Sequence, residues 1–361
     1  MRTKTIFYCL VLFAISFHVK AQWVQLNSGT TNDLYDVHFP VPDTGYAVGI
    51  DGIILKTTNG GSGWISLGSF SYTNTLYSIF FINANNGFAV GDSGTILKTV
   101  DGGINWINQN SNTQRVLSCV YFTNSDIGYA GGHGLILKTN DSGSNWYTTV
   151  ISHTTNSTIV VRGIHFPVPD TGYAVASRDV LRSIDAGEKW VIIADHPPNN
   201  DNHSTPWEDC EFTDANTGFI VGTYGTPLLT TTNGGNNWND IMSVGQLRDL
   251  FSIDFFNKKI GYSVGWRGII VKTTDGGNNW IVQESGSSST LYSVHFSSAY
   301  TGYAVGENGT ILKTTNVVLE EKDKVFPNPF TNMTTIVILN KLKNNEDYIQ
   351  FTLYDVLARQ G

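Results

Sequence analysis

Apolar and polar positions recur along this chain in one order, seven times over. Each occurrence opens on a segment such as Leu291-Tyr-Ser-Val-His-Phe296, in which apolar and polar side chains alternate. Alternation in β-branched and aromatic residues predicts a strand with one buried face. A polar turn follows, then a Gly–aromatic–small–Val run that predicts a second strand. A tight turn ending in Gly52, Gly94, Gly268 or Gly309 leads to Ile-Leu-Lys-Thr or a close variant, the third strand. Next comes Ser or Thr, then Asp or Asn two residues on, then Gly and Trp, as in Thr273-Thr-Asp275-Gly-Gly277-Asn-Asn-Trp280. A fourth, outer strand starts at that Trp.

The copies begin at Gly45, Gly87, Gly128, Gly172, Gly218, Gly261 and Gly302, 41 to 46 residues apart. A period of this length holding four short strands marks a β-propeller blade. The expected fold class is therefore all-β, a seven-bladed β-propeller spanning residues 22–316. The copy at Gly302 reads GYAVGENGTILKTTN and lacks its tryptophan strand, whereas Trp23-Val-Gln-Leu near the N-terminus matches Trp280-Ile-Val-Gln. The N-terminal strand is expected to complete the last blade, which pairs the two edges that a linear array leaves open.

In the box before each Trp, the short oxygens of Thr and Asp can accept turn amides, and Gly takes the positive-φ position. Asn59, Asp101, Asp141, Asp185, Asn233 and Asp275 are accordingly expected to be structural. The Trp supplies a large apolar surface between blades. This box resembles the Asp-box of bacterial neuraminidase repeats (BNR). The whole repeat is similar to the propeller of the photosystem II stability and assembly factor family. That resemblance implies the architecture and a habit of binding proteins. The family's arginine patch does not map residue by residue onto these copies.

The Asp-box also occurs in sialidases, so glycoside hydrolysis is the alternative to weigh. Resemblance to those enzymes implies an Arg triad, a Tyr–Glu pair, an acid Asp and an Arg-Ile-Pro motif. The chain has no Arg-Ile-Pro, and Arg115, Arg162, Arg178, Arg182, Arg248 and Arg267 are scattered. The nearly uniform copies leave few long loops to build a pocket. No enzymatic activity is expected, and no cofactor or metal.

Charge and the chain ends add localisation. Met1 to Ala21 has Arg2 and Lys4, an apolar core from Ile6 to Phe17 and Val19-Lys-Ala21 before Gln22, the form of a signal peptide. Its apolar run is too short to span a bilayer. Cleavage there moves the formal charge from -8 to -11, which argues against nucleic acid as a partner. Residues 317–361 are expected to form a charged linker and a partial small β-sandwich. There, Val325-Phe-Pro-Asn-Pro-Phe330 and the strand-like Thr335–Leu339 and Phe351–Arg359 resemble a C-terminal sorting domain of type IX secretion cargo from Bacteroidetes-type bacteria. That domain has Gly where Ala358 stands and continues further, so the copy here is partial. Export through the periplasm to the medium or the outer surface is the expectation. The two mature cysteines, Cys119 and Cys210, fall in non-adjacent copies and are expected as buried thiols rather than a disulfide.

Variation among the copies locates the candidate surface. Turns between the second and third strands share one end of the ring with the inter-blade connections. There the copies diverge, offering Asp51, Asp92, His133 and Arg178, then Tyr224, Trp266, Arg267 and Glu307. The box turns at the opposite end are monotonous. A scaffold that varies one end displays something there. Trp266 beside Arg267 is the favoured anchor pair. The Asp195–Pro206 insertion, with His196, His203 and Asp201, is read as a loop of that same end and matches no metal-ligand spacing. The expected activity is a secreted or surface binding or adhesion module, a monomeric propeller that engages a protein or a surface glycan. Glycoside hydrolysis and an assembly-factor role are the alternatives.

Overall fold

The computed structural model describes residues 23–67, 74–152, 159–195, 206–223, 228–241, 249–298, 301–315, 333–338 and 349–354. These form seven sheets arranged as blades, antiparallel except for one strand pair in the fourth, plus one two-stranded ladder. In the first blade the strands are Leu34–Val41, Thr44–Gly49, Ile54–Thr57 and Ile65–Ser66, from the channel outwards. Each innermost strand neighbours the next, and that of the last blade neighbours that of the first. The last blade takes its outer strand from the N-terminus. Trp23–Leu26 pairs antiparallel with Ile311–Thr315, Trp23 opposite Thr314 and Leu26 opposite Ile311.

A Gly-Tyr-Ala-Val-Gly strand is buried on both faces because it lies between neighbouring blades. The blades meet through an aromatic trio repeated at all seven junctions. The aromatic of one blade's second strand stacks on the Phe ending the next blade's innermost strand, and that blade's Trp meets the Phe edge-on. Tyr46 lies 3.8 Å from Phe81, and Phe81 lies 5.9 Å from Trp106 at 90°. At the closure Tyr262, Phe296 and Trp23 repeat the pattern, with centroids 4.1 and 6.3 Å apart. Offset stacks and edge contacts are the favoured aromatic geometries. The box Trp is thus a junction residue as well as the start of a strand.

Six boxes share one hydrogen-bond pattern. Thr99 Oγ1 donates to Asp101 Oδ1 and accepts from Gly103 N, and Asp101 Oδ1 also accepts from Asn105 N. Asn59, Asp141, Asp185, Asn233 and Asp275 accept the equivalent amides. The hydrogen bonds from Asn105 hold the Asp101 carboxyl below the usual range. A lysine on the preceding blade clasps the box: Lys56 Nζ donates to Gly102 O and Lys98 Nζ to Ser142 O.

Two features add to the sequence reading. The outer strands are mostly two residues long, as at Ile107–Asn108, which leaves little free edge. The fourth blade has five strands, because Val150–Ser152 in the preceding connection pairs in parallel with the longer outer strand Lys189–Asp195. In the C-terminal region the ladder Met333–Ile338 with Ile349–Tyr354 overlaps both expected strands, whose ends at Leu339 and over 355–359 lie outside the described residues. Residues 1–22 and 196–205 lie outside the described residues, and with them the leader and most of the insertion. Both cysteines are buried and free. Among the described residues no helix is long and apolar enough to cross a membrane.

Candidate functional site: the central channel and its mouth

The seven innermost strands share a pattern that decides what faces the channel. Their first, fourth and sixth residues are apolar and buried, as Leu34, Val37 and Phe39 show. A β-bulge follows the first residue in every blade, for example between Leu34 and Asp36. The extra residue breaks strict alternation, so the second, third and fifth residues all line the channel. The cavity so enclosed has a volume of about 570 Å³.

The second position forms the mouth, at the end carrying the inter-blade connections. Ile50 N donates to Asp33 O and Trp266 N to Asp249 O, which ties the variable turns to the start of the innermost strands there. Box turns lie at the other end, where Gly102 N donates to Asn85 O. Blades 7, 1 and 2 contribute Tyr292, Tyr35 and Tyr77, and blade 6 contributes Phe251. Tyr35 lies 5.3 Å from Tyr292 and 5.4 Å from Tyr77, and Phe251 lies 5.7 Å from Tyr292, a continuous aromatic arc. The other half of the mouth is polar: Ser118, then Arg162 and Glu208 in an ion pair of 3.2 Å.

The third position forms a girdle. Asp36 Oδ2 accepts from Ile79 N of the next blade, Ser78 Oγ from Val120 N, Asp209 Oδ2 from Ile253 N and Ser252 Oγ from Val294 N. Blade 4 has Gly163 here and cannot latch onto blade 5. Asp209 covers the gap by accepting Cys210 N with Oδ1, in space that a Cβ on Gly163 would invade at 2.9 Å. The last junction uses Ser293 Oγ, which donates to Asp36 Oδ1 at 2.7 Å. These carboxylates therefore belong to the closure of the ring.

The fifth position carries the second girdle. Asp254 Oδ2 accepts from Phe296 N, His295 Nε2 lies 3.3 Å from Phe39 O, and Tyr121 donates to Phe166 O. Phe212 N donates to His165 Nδ1, which leaves Nε2–H facing Glu211 Oε1 at 3.4 Å. Burial holds His165 down to about 4 and His38 well below its usual value. Burial, with Asp254 adding repulsion, pushes Glu211 well up. Burial thus favours the uncharged forms of both His165 and Glu211 at this floor. Among the described residues no group of three His, Cys, Asp or Glu is placed to hold a metal ion.

Asp209 yields a pH test. Burial raises its pKa to about 7, against the opposing hydrogen bonds from Ile253 and Cys210. The folded chain then holds this proton more tightly than the unfolded chain does. Its stabilising contribution is complete below about pH 4 and is lost as pH rises through about 7. Asp209→Asn keeps a carbonyl acceptor but cannot ionise. Thermal melts from pH 4 to 8 should show the parent losing ground to the variant across this window. A constant difference between them would contradict the assignment.

The residues expected to form the binding surface divide into groups. Asp51 and Arg267 sit at turn tips with φ of 58° and 53°, both exposed. Trp266 is 36% exposed, and the Arg267 guanidinium stacks over its ring at 4.2 Å. His133 and Arg178 are exposed, although the Arg178 carbonyl accepts from Trp207 Nε1. Asp92 and Glu307 are half-buried and turn inward: Asp92 takes the Tyr77 hydroxyl and Glu307 that of Tyr292. Tyr224 lies outside the described residues. Sequence reasoning missed the channel-lining residues, although superposing the seven six-residue strands would have separated the fixed apolar positions from the varying ones.

The described strands define an all-β, seven-bladed β-propeller. The family model described as photosynthesis system II assembly factor YCF48 matches residues 66–155 and 199–285. Among solved structures, YCF48 bound to D1 peptide is 19% identical, with a TM-score of 0.67 over 81% of this chain and 97% of that one. YCF48 from Cyanidioschyzon merolae is 18% identical, with a TM-score of 0.63 over 81% and 98% of the two chains. The GH74 enzyme of Niastella koreensis is 16% identical, with a TM-score of 0.64 over 80% of this chain and 53% of that one. No curated protein matches the chain.

Proposed function

We propose that this protein is an exported, non-enzymatic binding propeller that takes a protein segment at the end carrying the inter-blade connections. One observation carries the reading: the two ends of the ring are built differently. The box end repeats a single hydrogen-bonded turn. The other end surrounds an open channel mouth, and its turn tips carry side chains that differ from blade to blade, among them Asp51, Ser93, Arg267 and Asn308. The match of two segments to the YCF48 family and the D1-peptide complex of a similar propeller support a protein partner over a glycan. The leader-like Met1–Ala21 and the resemblance of the segment from Val325 onward to a sorting domain support export.

The test is an array displaying both peptides and glycans, probed with the whole chain and with Trp266→Ala/Arg267→Ala. Peptide signals that fall at least tenfold in the variant, with an unchanged melting temperature, are expected for exposed anchors. Signals confined to glycans would overturn the reading. A glycosidase is the second reading, favoured by the raised carboxyls of Glu211 and Asp254 in the channel and by the GH74 neighbours. It requires turnover of a fluorogenic sialoside or β-glucan that Glu211→Gln abolishes.

A further inference from the structure

The mouth of the channel is polarised. Tyr35, Tyr77 and Tyr292 stand in contact on one side, each half-exposed to the channel. Three carboxylates frame them: Asp33 and Asp92 flank Tyr35, and Glu307 meets Tyr292. Asp33 Oδ1 accepts from Asn308 N and Glu307 Oε2 from Thr290 N, which fixes both side chains yet leaves lone pairs free. None of the three forms an ion pair with another described residue. Among the described residues lining this mouth the cation is Arg162, which stands across the channel and is paired with Glu208.

We propose that this tyrosine arc seats a lysine or arginine side chain of the partner polypeptide. The inference rests on the reading that this end binds a protein segment, and it names the group recognised. A cation is drawn to the faces of aromatic rings, and more so where solvent is thinned. Here three rings line the wall of a cavity, and carboxylates at its rim supply the counter-charge. Apolar side chains would desolvate Asp33, Asp92 and Glu307 without supplying a counter-charge, and an acidic one would be repelled. The same position in blade 3 is Ser118, so the arc is confined to one side of the mouth and the partner's approach is directional.

The test uses blocked peptides of alternating Gly and X, with X as Arg, Gln, Leu or Glu, titrated calorimetrically against the full chain at low and physiological salt. The Arg peptide should bind at least tenfold more tightly than the Gln peptide, with affinity falling as salt rises. Tyr35→Ala/Tyr77→Ser leaves the charge unaltered and should cost the Arg peptide at least fivefold. Asp92→Asn/Glu307→Gln should remove most of the salt dependence. Melting temperatures report whether each variant folds, and Tyr77→Ser alone serves where the double variant does not, since serine already occupies this position in blade 3. Arg-peptide affinity that ignores the tyrosine changes would mean adsorption to an acidic surface and would overturn the inference. Binding of the Leu or Glu peptide that depends on Trp266 would overturn it too, while leaving the protein-binding reading intact. Glycan binding with no peptide bound would end both.

Discussion

Removing Trp23 to Asn27 is expected to lower the melting temperature of the whole propeller, in a single transition. The strand is only four residues long, but its position is decisive. It supplies the outer strand of blade 7 through the ladder to Ile311–Thr315. It also supplies the Trp of the seventh junction, where Trp23 is 4% exposed and meets Tyr262 and Phe296 edge-on at 6.1 and 6.3 Å. Loss of a buried Trp alone typically costs about 3–5 kcal/mol. Because each blade's Phe is packed by its neighbour, weakening one junction opens the ring for all of them. Trp23→Ala should therefore recover most of the effect of the deletion. Val24→Ala, on the same strand but 52% exposed, should fall within about 0.5 kcal/mol of the parent. A deletion that melts at the parent temperature, or that loses only blade 7 in a separate early transition, would refute this account of the closure.

How much of this was legible beforehand follows from what each residue answers to. The blade count, the closure and the box turns were readable because their causes are local or periodic. Thr99, Asp101 and Gly103 fold one turn among themselves, and Trp23 repeats the motif of Trp280. The channel was not readable, because its chemistry is assembled across blades. Asp209 gains its latch to Ile253 and its room beside Gly163 from residues 44 and 46 positions away. The bulge after Leu34 hid the inward positions from an alternation test, since it places Tyr35 and Asp36 together on the channel side. Asp92 and Glu307 were singled out as exposed turn residues, yet their carboxylates serve the tyrosine arc. Val150–Ser152 was missed as a strand because its partner, Lys189–Asp195, lies a blade away and pairs in parallel.

Gly87→Ala should destabilise the propeller by about 1–3 kcal/mol, the usual range for overpacking a filled core. The cause is spatial rather than conformational, because Gly87 carries no positive φ. A Cβ at this position would lie 2.6 Å from three atoms of the Phe81 ring, well inside ordinary contact. The ring has nowhere to go: Tyr46 of the neighbouring blade stacks on its other face at 3.8 Å, and Trp106 stands at its edge. Phe81 is 2% exposed. Every blade places a glycine under its Phe in this way, from Gly45 under Phe39 to Gly302 under Phe296. The repeated Gly-aromatic pair is thus a requirement of blade-to-blade stacking. A double-mutant cycle separates this steric cause from a loss of strand propensity. Phe81→Leu removes the ring and is itself costly, but with the ring gone the added methyl group has space. The double variant Gly87→Ala/Phe81→Leu should accordingly be more stable than the sum of the single losses predicts, by about 1 kcal/mol or more for groups in direct contact. Denaturant melts of the four proteins give this coupling directly. Strict additivity would show that Gly87 and Phe81 do not constrain one another, and the steric explanation of the seven glycines would then fail.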